Sequence, residues 1–380
     1  MNAFFISCEE RLDVSLRTAE AAVAGDPAER TGIILTANYN ARKKGVRTAM
    51  TVFEAKKLCP GLVLVKPDHS LYSQVSERIM ELLGSFSPVV EQNSIDEAWL
   101  DMTNMDRYFG SSFYQIARDL QEKIYEKEQI PCSIGISYNK FLSKMAADIK
   151  KPNGITILDK DNIKDILWPL DIEKMHGCGR VTAQKLRKEG IGTIGELAGS
   201  DISIIKTRLG DFGVSLYNNA NGKDEQEVLC DSVKAKSISR ETTLSKDTRD
   251  IKELELMLFP LIEDVARQVR EKDLQFSTVH LTMKYNDFTR ITRQKKIGES
   301  TGRDAILDTI RELLRENRPA KPIRLIGAGV SDIRSNTAIQ LGIFDKNGIK
   351  EDDIYKVIDE KNRKYGRDII KRGFHERRVN

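Results

Sequence analysis

Two adjacent carboxylates, Asp96 and Glu97, are the residues of this sequence that most directly indicate chemistry. They follow a tight connection that we predict at Asn93-Ser94, between two short strands. Neighbouring side chains of a regular strand point to opposite faces, but this alternation breaks where a strand starts after a turn, so both carboxylates can converge. Mg²⁺ prefers such oxygen ligands and often completes its shell with substrate phosphates. Two such ions can activate a 3′-hydroxyl and stabilise a leaving pyrophosphate, which favours nucleotidyl transfer.

The alternative is that this pair belongs to an ordinary surface turn. Apolar residues flank the pair on both sides, namely Val89, Val90, Ile95, Trp99 and Leu100. Carboxylates without a partner are costly in such surroundings. The flanking sequence therefore favours a role as metal ligands.

The composition argues against several other kinds of site. The five cysteines and four histidines are scattered, with no C-x-x-C pair, which argues against zinc or disulfides and is typical of a reducing cytoplasm. No stretch approaches the roughly 18 apolar residues of a membrane span, and no signal peptide is recognisable, so we expect no membrane partner. The net charge of +4 combines 61 Lys and Arg with 57 Asp and Glu, so only local clusters can indicate a polyanionic partner.

Apolar periodicity and turn residues predict the strands and helices that position Asp96 and Glu97. A chain of 380 residues is expected to form two to four domains. Residues 3–8 are interpreted as the end of a buried strand that runs into a helix. We predict further strands at 32–37 and 132–137, and helices at 71–85, 113–127 and 139–150. This order indicates an α+β domain built on one sheet.

The predicted secondary structure changes twice in the second half of the chain. The pattern is helical, with closely spaced glycines, from about 167 to 228. A polar stretch then precedes four β-rich segments and two helices, which predict a second α+β domain. The β-rich segments are 237–244, 276–285, 288–297 and 323–331, and the helices lie near 251–271 and 301–316.

Five stretches, in this order, resemble the motifs of Y-family, lesion-bypass DNA polymerases of the DNA polymerase IV type. They are AFFISCEE (3–10), TANYNARKKGV (36–46), SIDEAWLD (94–101), IGISYNKFLSKMAADIKKPNG (134–154) and HGCGRVTAQKLRKEGI (176–191). KSISRETTL (236–244) and RLIGAGVS (324–331) extend the resemblance over nearly the whole chain. The resemblance implies a monomeric, low-fidelity polymerase in the cytoplasm that acts on primer–template DNA and dNTPs.

The same resemblance implies a multidomain right-hand architecture of α+β class. The expected parts are palm and fingers at 1–165 (fingers about 11–68), a thumb with a helix-hairpin-helix at 166–230, a linker at 231–236, a little finger at 237–335, and a tail with a clamp-binding motif and a helix at 336–380.

The resemblance also assigns roles around a pair of Mg²⁺ ions. Asp96 should bridge both ions, Glu97 should bind the catalytic one, and the backbone carbonyl of Met1 falls where the family ligates the nucleotide-bound ion. Phe5 falls at the steric gate, where a ring stacks under the deoxyribose and clashes with a 2′-hydroxyl; the alternative is core packing. Nucleotide contacts are implied for Phe4, Phe5, Thr36, Tyr39, Arg42 and Lys151, of which Arg offers a fork of donors and Lys a point charge.

One departure from the family pattern concerns the residue before Met1. The family places an aspartate there, at the end of a full first strand, and Asn2 does not replace this ligand. Either the recorded start lies too far downstream, which we favour, or the product is an impaired relative that acts as a DNA- and clamp-binding factor. A nucleotide cyclase with a similar palm is disfavoured by the motifs for gripping DNA.

DNA-gripping residues are expected in two places. Gly177 and Gly179 can bring backbone N–H groups close to a phosphate at a helix N-terminus, with Lys185 nearby. In the little finger we predict phosphate contacts for Arg240, Arg293 and Lys295; the alternative is a solvated edge strand whose lysines block aggregation.

A short motif in the tail resembles a peptide that binds a sliding clamp of the beta type. Leu341, Ile343 and Phe344 would fill an apolar groove while Gln340 fixes the register. The alternative is that these residues pack back on their own protein.

Overall fold

The computed structural model describes residues 1–27, 32–230 and 235–335, together with Val357 and Lys361. The chain divides into two compact units, Met1–Ser232 and Val233–Asn380. This division falls inside the predicted linker at 231–236; the further division of the first unit into palm, fingers and thumb stays a prediction. Within these described ranges, no helix is both long and apolar enough to cross a membrane.

The N-terminal unit alternates helices with short strands. In chain order its elements are α1 (Phe4–Leu12), β1 (Ala21–Ala24), β2 (Ile34–Ala37), α2 (Tyr39–Lys43), α3 (Val52–Leu58), β3 (Val63–Val65), α4 (His69–Gly84), β4 (Val90–Gln92), β5 (Ala98–Leu100), α5 (Met105–Phe109), α6 (Phe113–Glu128), β6 (Ile134–Ile136), α7 (Lys140–Ile149), β7 (Ile155–Ile157), α8 (Ile163–Ile166), α9 (Arg180–Lys188), α10 (Ile194–Ala198) and α11 (Ile202–Ala220). The helices predicted at 71–85, 113–127 and 139–150 are confirmed as α4, α6 and α7.

The start of the chain differs from its prediction. Residues 4–12 form α1, so the strand expected at 3–8 is wrong. Phe4, Ser7 and Cys8 lie on one buried helical face, at spacings of three and four residues. A short apolar run fits a buried strand and a buried helix equally well, and here tertiary packing selects the helix.

The single sheet expected in this unit is also wrong, since its strands form three separate sheets. One sheet has the order β2-β1-β3, β4 pairs with β5, and β6 pairs with β7. The β4–β5 hairpin is antiparallel, with Glu91 opposite Trp99 and Gln92 opposite Ala98. Sequence pattern identifies strands but not their partners, because pairing depends on the packing of distant elements.

Helix α7 lies beside the β4–β5 hairpin, and two of its lysines bond glutamates of the hairpin and its turn. Asn139 caps it by accepting a hydrogen bond from the amide of Leu142, 2.9 Å away. One face buries Phe141, Leu142 and Met145 in the core. Lys140 and Lys144, one helical turn apart, reach the β4–β5 hairpin and its turn.

The C-terminal unit is a sheet covered by two helices. Its elements are β8 (Ser237–Thr248), α12 (Ile251–Glu271), β9 (Leu274–Tyr285), β10 (Arg290–Ser300), α13 (Arg303–Glu316), β11 (Ile323–Ser331) and β12 (Arg334–Ser335). The strands pair in the antiparallel order β10-β9-β11-β8. Leu258 and Ile262 of α12 pack with Ile310 of α13 and with Val279 and Leu281 of β9. The four β-rich segments and two helices predicted here are confirmed.

Candidate active site

The turn between β4 and β5 is built so that Asp96 and Glu97 follow each other without lying on a regular strand. The amides of Asn93 and Ser94 donate to the carbonyl oxygen of Glu97 at 2.9 and 3.2 Å, which closes the turn. The Ser94 hydroxyl donates to Oδ1 of Asp96 at 2.8 Å. From α4, the Ser76 hydroxyl donates to the carbonyl oxygen of Ile95 at 2.5 Å. The turn is therefore held from within and from a neighbouring helix.

Glu97 has a partner that the sequence did not indicate. Nζ of Lys144 on α7 donates to Oε1 of Glu97, and Nδ2 of Asn93 donates to Oε2 at 3.2 Å. Burial by itself raises the pKa of Glu97, but the hydrogen bond and charge of Lys144 outweigh burial and hold that pKa below its usual value. Lys144 thus favours the ionised form of Glu97.

Both carboxylates open onto one cavity of about 780 Å³. Met1, Lys144 and Lys151 line the same cavity. The ammonium group of Met1 donates to the backbone carbonyl oxygen of Asp96 at 2.6 Å, and burial lowers the pKa of this group. A cavity of this volume, with a few polar groups on one wall, is typical of a small-molecule site.

The donor set fits a hard divalent cation that shares its ligands with a substrate. Among the described residues, no group of three or more His, Cys, Asp or Glu side chains could hold a metal ion. The described residues therefore contain no structural metal site that is closed by side chains of these four types. Mg²⁺ is commonly bound through only one or two carboxylates, with waters and substrate phosphates in the other positions. Asp96 and Glu97 supply that minimum.

Tyr39 and Arg42, which are predicted to grip a triphosphate, both lie on α2 and are not among the residues that line this cavity. The hydroxyl of Tyr39 is buried and has no hydrogen-bond partner among the described residues, and burial raises the pKa of Tyr39. The guanidinium of Arg42 lies 5.1 Å from the centre of the Tyr39 ring, and its Nε donates to the carbonyl oxygen of Ala37 at 2.8 Å. A buried hydroxyl without a partner is costly, so a ligand oxygen would stabilise it.

The other residues with a predicted nucleotide contact, Lys151, Thr36 and Phe4, lie in different surroundings. Lys151 lines the cavity and forms an ion pair of 2.5 Å with Asp148. Thr36 lies half-buried on β2. Phe4 is buried in the core of the N-terminal unit, which is the ordinary environment of a phenylalanine.

Phe5 is half-buried in an aromatic cluster. Its ring stacks on Tyr72 with centroids 4.5 Å apart, and it meets the edge of His69 at 5.9 Å. The Tyr72 hydroxyl donates to Oε1 of Glu9 at 2.5 Å, which fixes the stack. Sequence reasoning missed Tyr72 and His69; the aromatic spacing at the start of α4 was the available signal.

The two glycines of the predicted helix-hairpin-helix lie just before α9. Gly177 has a φ of +87°, a conformation that favours glycine. Gly179 precedes α9 without a side-chain cap, so the first amides of α9 are not satisfied by a capping side chain. Lys185 is exposed on the same helix. This arrangement suits a phosphate.

The cations predicted in the little finger lie on the helix-covered face of their sheet. Arg293 is opposite Leu281, Lys295 is opposite Val279, and Arg240 is opposite Ala328, all of them buried core residues. Each cation has a partner on a helix or at its end: Arg240 bonds Asp264, Lys295 bonds Glu312, and Nε of Arg293 donates to Oδ1 of Asn317 at 2.9 Å. Phosphate contact stays a prediction for these three residues, and phosphate would have to compete with these partners.

The predicted clamp-binding residues 340–344 lie outside the described residues, as does the predicted tail helix apart from Val357 and Lys361.

Comparisons with known proteins place this geometry in a family. The model of the impB/mucB/samB family matches residues 1–148, the model of that family's C-terminal domain matches 235–343, and the IMS family HHH motif matches 160–191. DNA polymerase IV of Clostridium kluyveri is 43% identical over 98% of this chain and 96% of that protein. DNA polymerase IV of Alkaliphilus oremlandii is 44% identical, with the same coverage of both chains.

Solved structures agree with the sequence comparisons. A Y-family DNA polymerase chimera of Dbh and Dpo4 superposes with a TM-score of 0.76 at 27% identity, covering 88% of this chain and 98% of that one. A Dbh ternary complex gives a TM-score of 0.62 at 28% identity, over 87% and 96% of the two chains. The chain belongs to the impB/mucB/samB family, the Y family of DNA polymerases.

The pairing of Lys144 with Glu97 can be tested by titration. Lys144→Met leaves the burial of Glu97 but removes the hydrogen bond and charge that lower its pKa, so we expect this pKa to rise above that of an ordinary glutamate. Carboxyl ¹³C chemical shifts, with Glu97 assigned through Glu97→Gln, would measure it in metal-free protein. Lys127→Met, at an exposed lysine of α6, serves as the control. A Glu97 pKa that stays at its parental value in Lys144→Met would contradict the pairing.

Proposed function

We propose that this chain is a template-directed DNA polymerase that extends primers past damaged template bases by nucleotidyl transfer with two Mg²⁺ ions. The observation that carries the proposal is the convergence of Asp96 and Glu97 on one cavity whose wall also holds Lys144 and Lys151. A second support is similarity over nearly the whole chain to proteins named DNA polymerase IV. An acidic pair beside basic side chains suits a bound metal–triphosphate better than it suits an apolar ligand.

The acidic pair would hold the ions. Asp96 can bridge both ions and Glu97 can bind one, with the backbone carbonyl of Met1 as a further ligand. When bound, divalent ions lower the pKa of an attacking hydroxyl and neutralise charge on the leaving pyrophosphate. Lys144 keeps Glu97 ionised and oriented in the absence of metal. Glu97 would therefore bind a divalent ion without first losing a proton.

A second group of residues would grip the dNTP. Arg42 and Lys151 offer positive charge to the phosphates, and Tyr39 offers its unpartnered hydroxyl. Thr36 would add a hydroxyl donor, and Phe4 would support Phe5 from the core. Phe5 would lie under the sugar, with Tyr72 stacked behind it so that the ring cannot retreat from a 2′-hydroxyl.

The remaining contacts extend the proposal to DNA and a clamp. The hairpin with Gly177, Gly179 and Lys185 would bind phosphates without regard to base sequence, and the little finger would contribute Arg240, Arg293 and Lys295. Residues 340–344 would bind a sliding clamp.

The five cysteines are free, which supports a cytoplasmic location, and we propose a monomer.

Primer extension tests the catalytic role of the acidic pair. Asp96→Asn with Glu97→Gln should lower the rate of dNTP addition by at least about 10³-fold, because several kcal/mol of charge stabilisation depend on the metal ions. Binding of primer–template, measured by fluorescence anisotropy, should change little. Asp119→Asn with Glu126→Gln, two exposed acids of α6, is the matched control. A parental chain that binds primer–template but never extends it would contradict the proposal and favour the alternative of a DNA- and clamp-binding factor.

Phe5→Ala tests the steric gate. Loss of the ring should raise the efficiency of ribonucleotide incorporation relative to the matching dNTP by about 10- to 200-fold, the usual value of one apolar contact in a specificity pocket. Single-nucleotide insertion kinetics measure this ratio. Phe53→Ala removes an exposed phenylalanine, 69% accessible, and should leave the ratio unchanged. Equal sugar discrimination in Phe5→Ala and the parent would remove Phe5 from this role.

A further inference from the structure

The segment that leaves α11 and leads toward the C-terminal unit is held on the N-terminal unit by polar contacts. This exit segment, residues 222–230, contains no helix or strand. Several of its side chains are exposed, including Glu225, Glu227 and Cys230, and Leu229 is 50% accessible. Burial of apolar surface therefore contributes little to its position, and hydrogen bonds must hold it.

Lys140 and Glu91 are the centre of these contacts. Nζ of Lys140 donates to Oε1 and Oε2 of Glu91 at 2.6 and 2.7 Å and to the carbonyl oxygen of Glu227 at 3.2 Å. The amide of Leu229 donates to Oε2 of Glu91 at 2.8 Å. The lysine side chain is 9% accessible and the glutamate side chain 18%. The pair thus holds the backbone of the exit segment at two points, one through each partner.

The surrounding residues fix Lys140 in place. Its Nζ lies 4.6 Å from the centre of the Trp99 ring, and Nε1 of Trp99 donates to the carbonyl oxygen of Lys140 at 3.1 Å. The amide of Phe141 donates to Oδ2 of Asp224 at 2.9 Å, a further bond between α7 and the exit segment. A shielded, charge-assisted pair of this kind is stronger than an exposed one, and loss of one partner leaves the other buried without compensation.

We propose that Glu91 and Lys140 form a latch that keeps the connection to the C-terminal unit short, so that both units stay on the same primer–template. This inference rests on the proposed grip of the C-terminal unit on DNA. With the latch closed, the connection from Cys230 to Ser237 comprises residues 231–236 and can span at most about 25 Å. With the exit segment released from residue 223 onward, the connection could span up to about 54 Å.

The length of the connection sets the strength of joint binding. Once one unit is on DNA, binding of the other is intramolecular, and its effective concentration falls roughly as the −3/2 power of tether length. Opening the latch should therefore weaken binding of primer–template about threefold. Glu91 and Lys140 are positioning residues in this account, since neither is among the ligands of the proposed metal site.

The test uses the full chain with Lys140→Met, which keeps the length of the side chain but removes its charge. Without DNA, the amide of Leu229 should exchange with solvent at least about tenfold faster, since it loses a fixed acceptor. The dissociation constant for primer–template should rise about threefold. The single-turnover rate of dNTP addition at saturating DNA should stay within twofold of the parent. Glu91→Gln, which removes the opposite charge, should shift exchange and affinity in the same direction.

Two further variants complete the experiment. Lys140→Arg keeps the charge and should restore most of the parental exchange and affinity. Lys164→Met is the matched control, because it removes a lysine that lies over the Trp168 ring at 5.2 Å but removes none of the hydrogen bonds named above; both readouts should remain parental.

Three results would overturn the latch. They are unchanged exchange of the Leu229 amide in Lys140→Met, faster exchange with unchanged affinity for primer–template, and a slower single-turnover rate at saturating DNA with unchanged affinity. Failure of the proposed function would look different, because the parent itself would then not extend a primer, while the exchange measurement on DNA-free protein would still report on the latch.

Discussion

The N-terminal unit depends on the contact between α7 and the β4–β5 hairpin, where two lysines one helical turn apart meet two glutamates. Lys144 bonds Glu97 beside the cavity, and Lys140 bonds Glu91 farther along the hairpin. Lys144 places positive charge beside this acidic turn and bonds one of its two carboxylates, that of Glu97. Together with the bond from Asn93, the hydrogen bond and charge of Lys144 hold the pKa of Glu97 low despite the effect of burial.

This arrangement links the chemistry of the site to the architecture around it. The same short helix that keeps Glu97 charged also holds the exit segment, because its first residue, Lys140, bonds the carbonyl oxygen of Glu227. The apolar face of α7 is buried with Phe141, Leu142 and Met145, so the helix cannot shift without disturbing the core. One rigid element thus serves the proposed metal site and the connection between the two units.

Much of the fold could be predicted from the sequence because its longer elements have a clear periodicity. The helices α4, α6 and α7, together with the four long strands and two helices of the C-terminal unit, fall where the pattern puts them. The failures have physical causes. Residues 3–8 form an apolar run too short to distinguish a strand from a buried helix, and the division into three sheets depends on pairings between strands of only three or four residues.

The acidic residues of the candidate site could be predicted from the sequence, but the residues that bond them could not. Asp96 and Glu97 are recognisable because they follow a turn among apolar residues, whereas the bond from Lys144 joins residues 47 positions apart and depends on tertiary packing. In the C-terminal unit the register shows why the basic pattern of β10 was ambiguous. This strand lies at the edge of the sheet, so Arg293 and Lys295 can occupy the helix-covered face and still reach partners at its rim.

The most direct test of the central claim is a structure of the full chain with primer–template, a non-hydrolysable dNTP analogue and Mg²⁺. The account predicts carboxylate oxygens of both Asp96 and Glu97 within about 2.1 Å of metal ions that also touch the triphosphate. A bound nucleotide with either carboxylate turned away from the metal would contradict it.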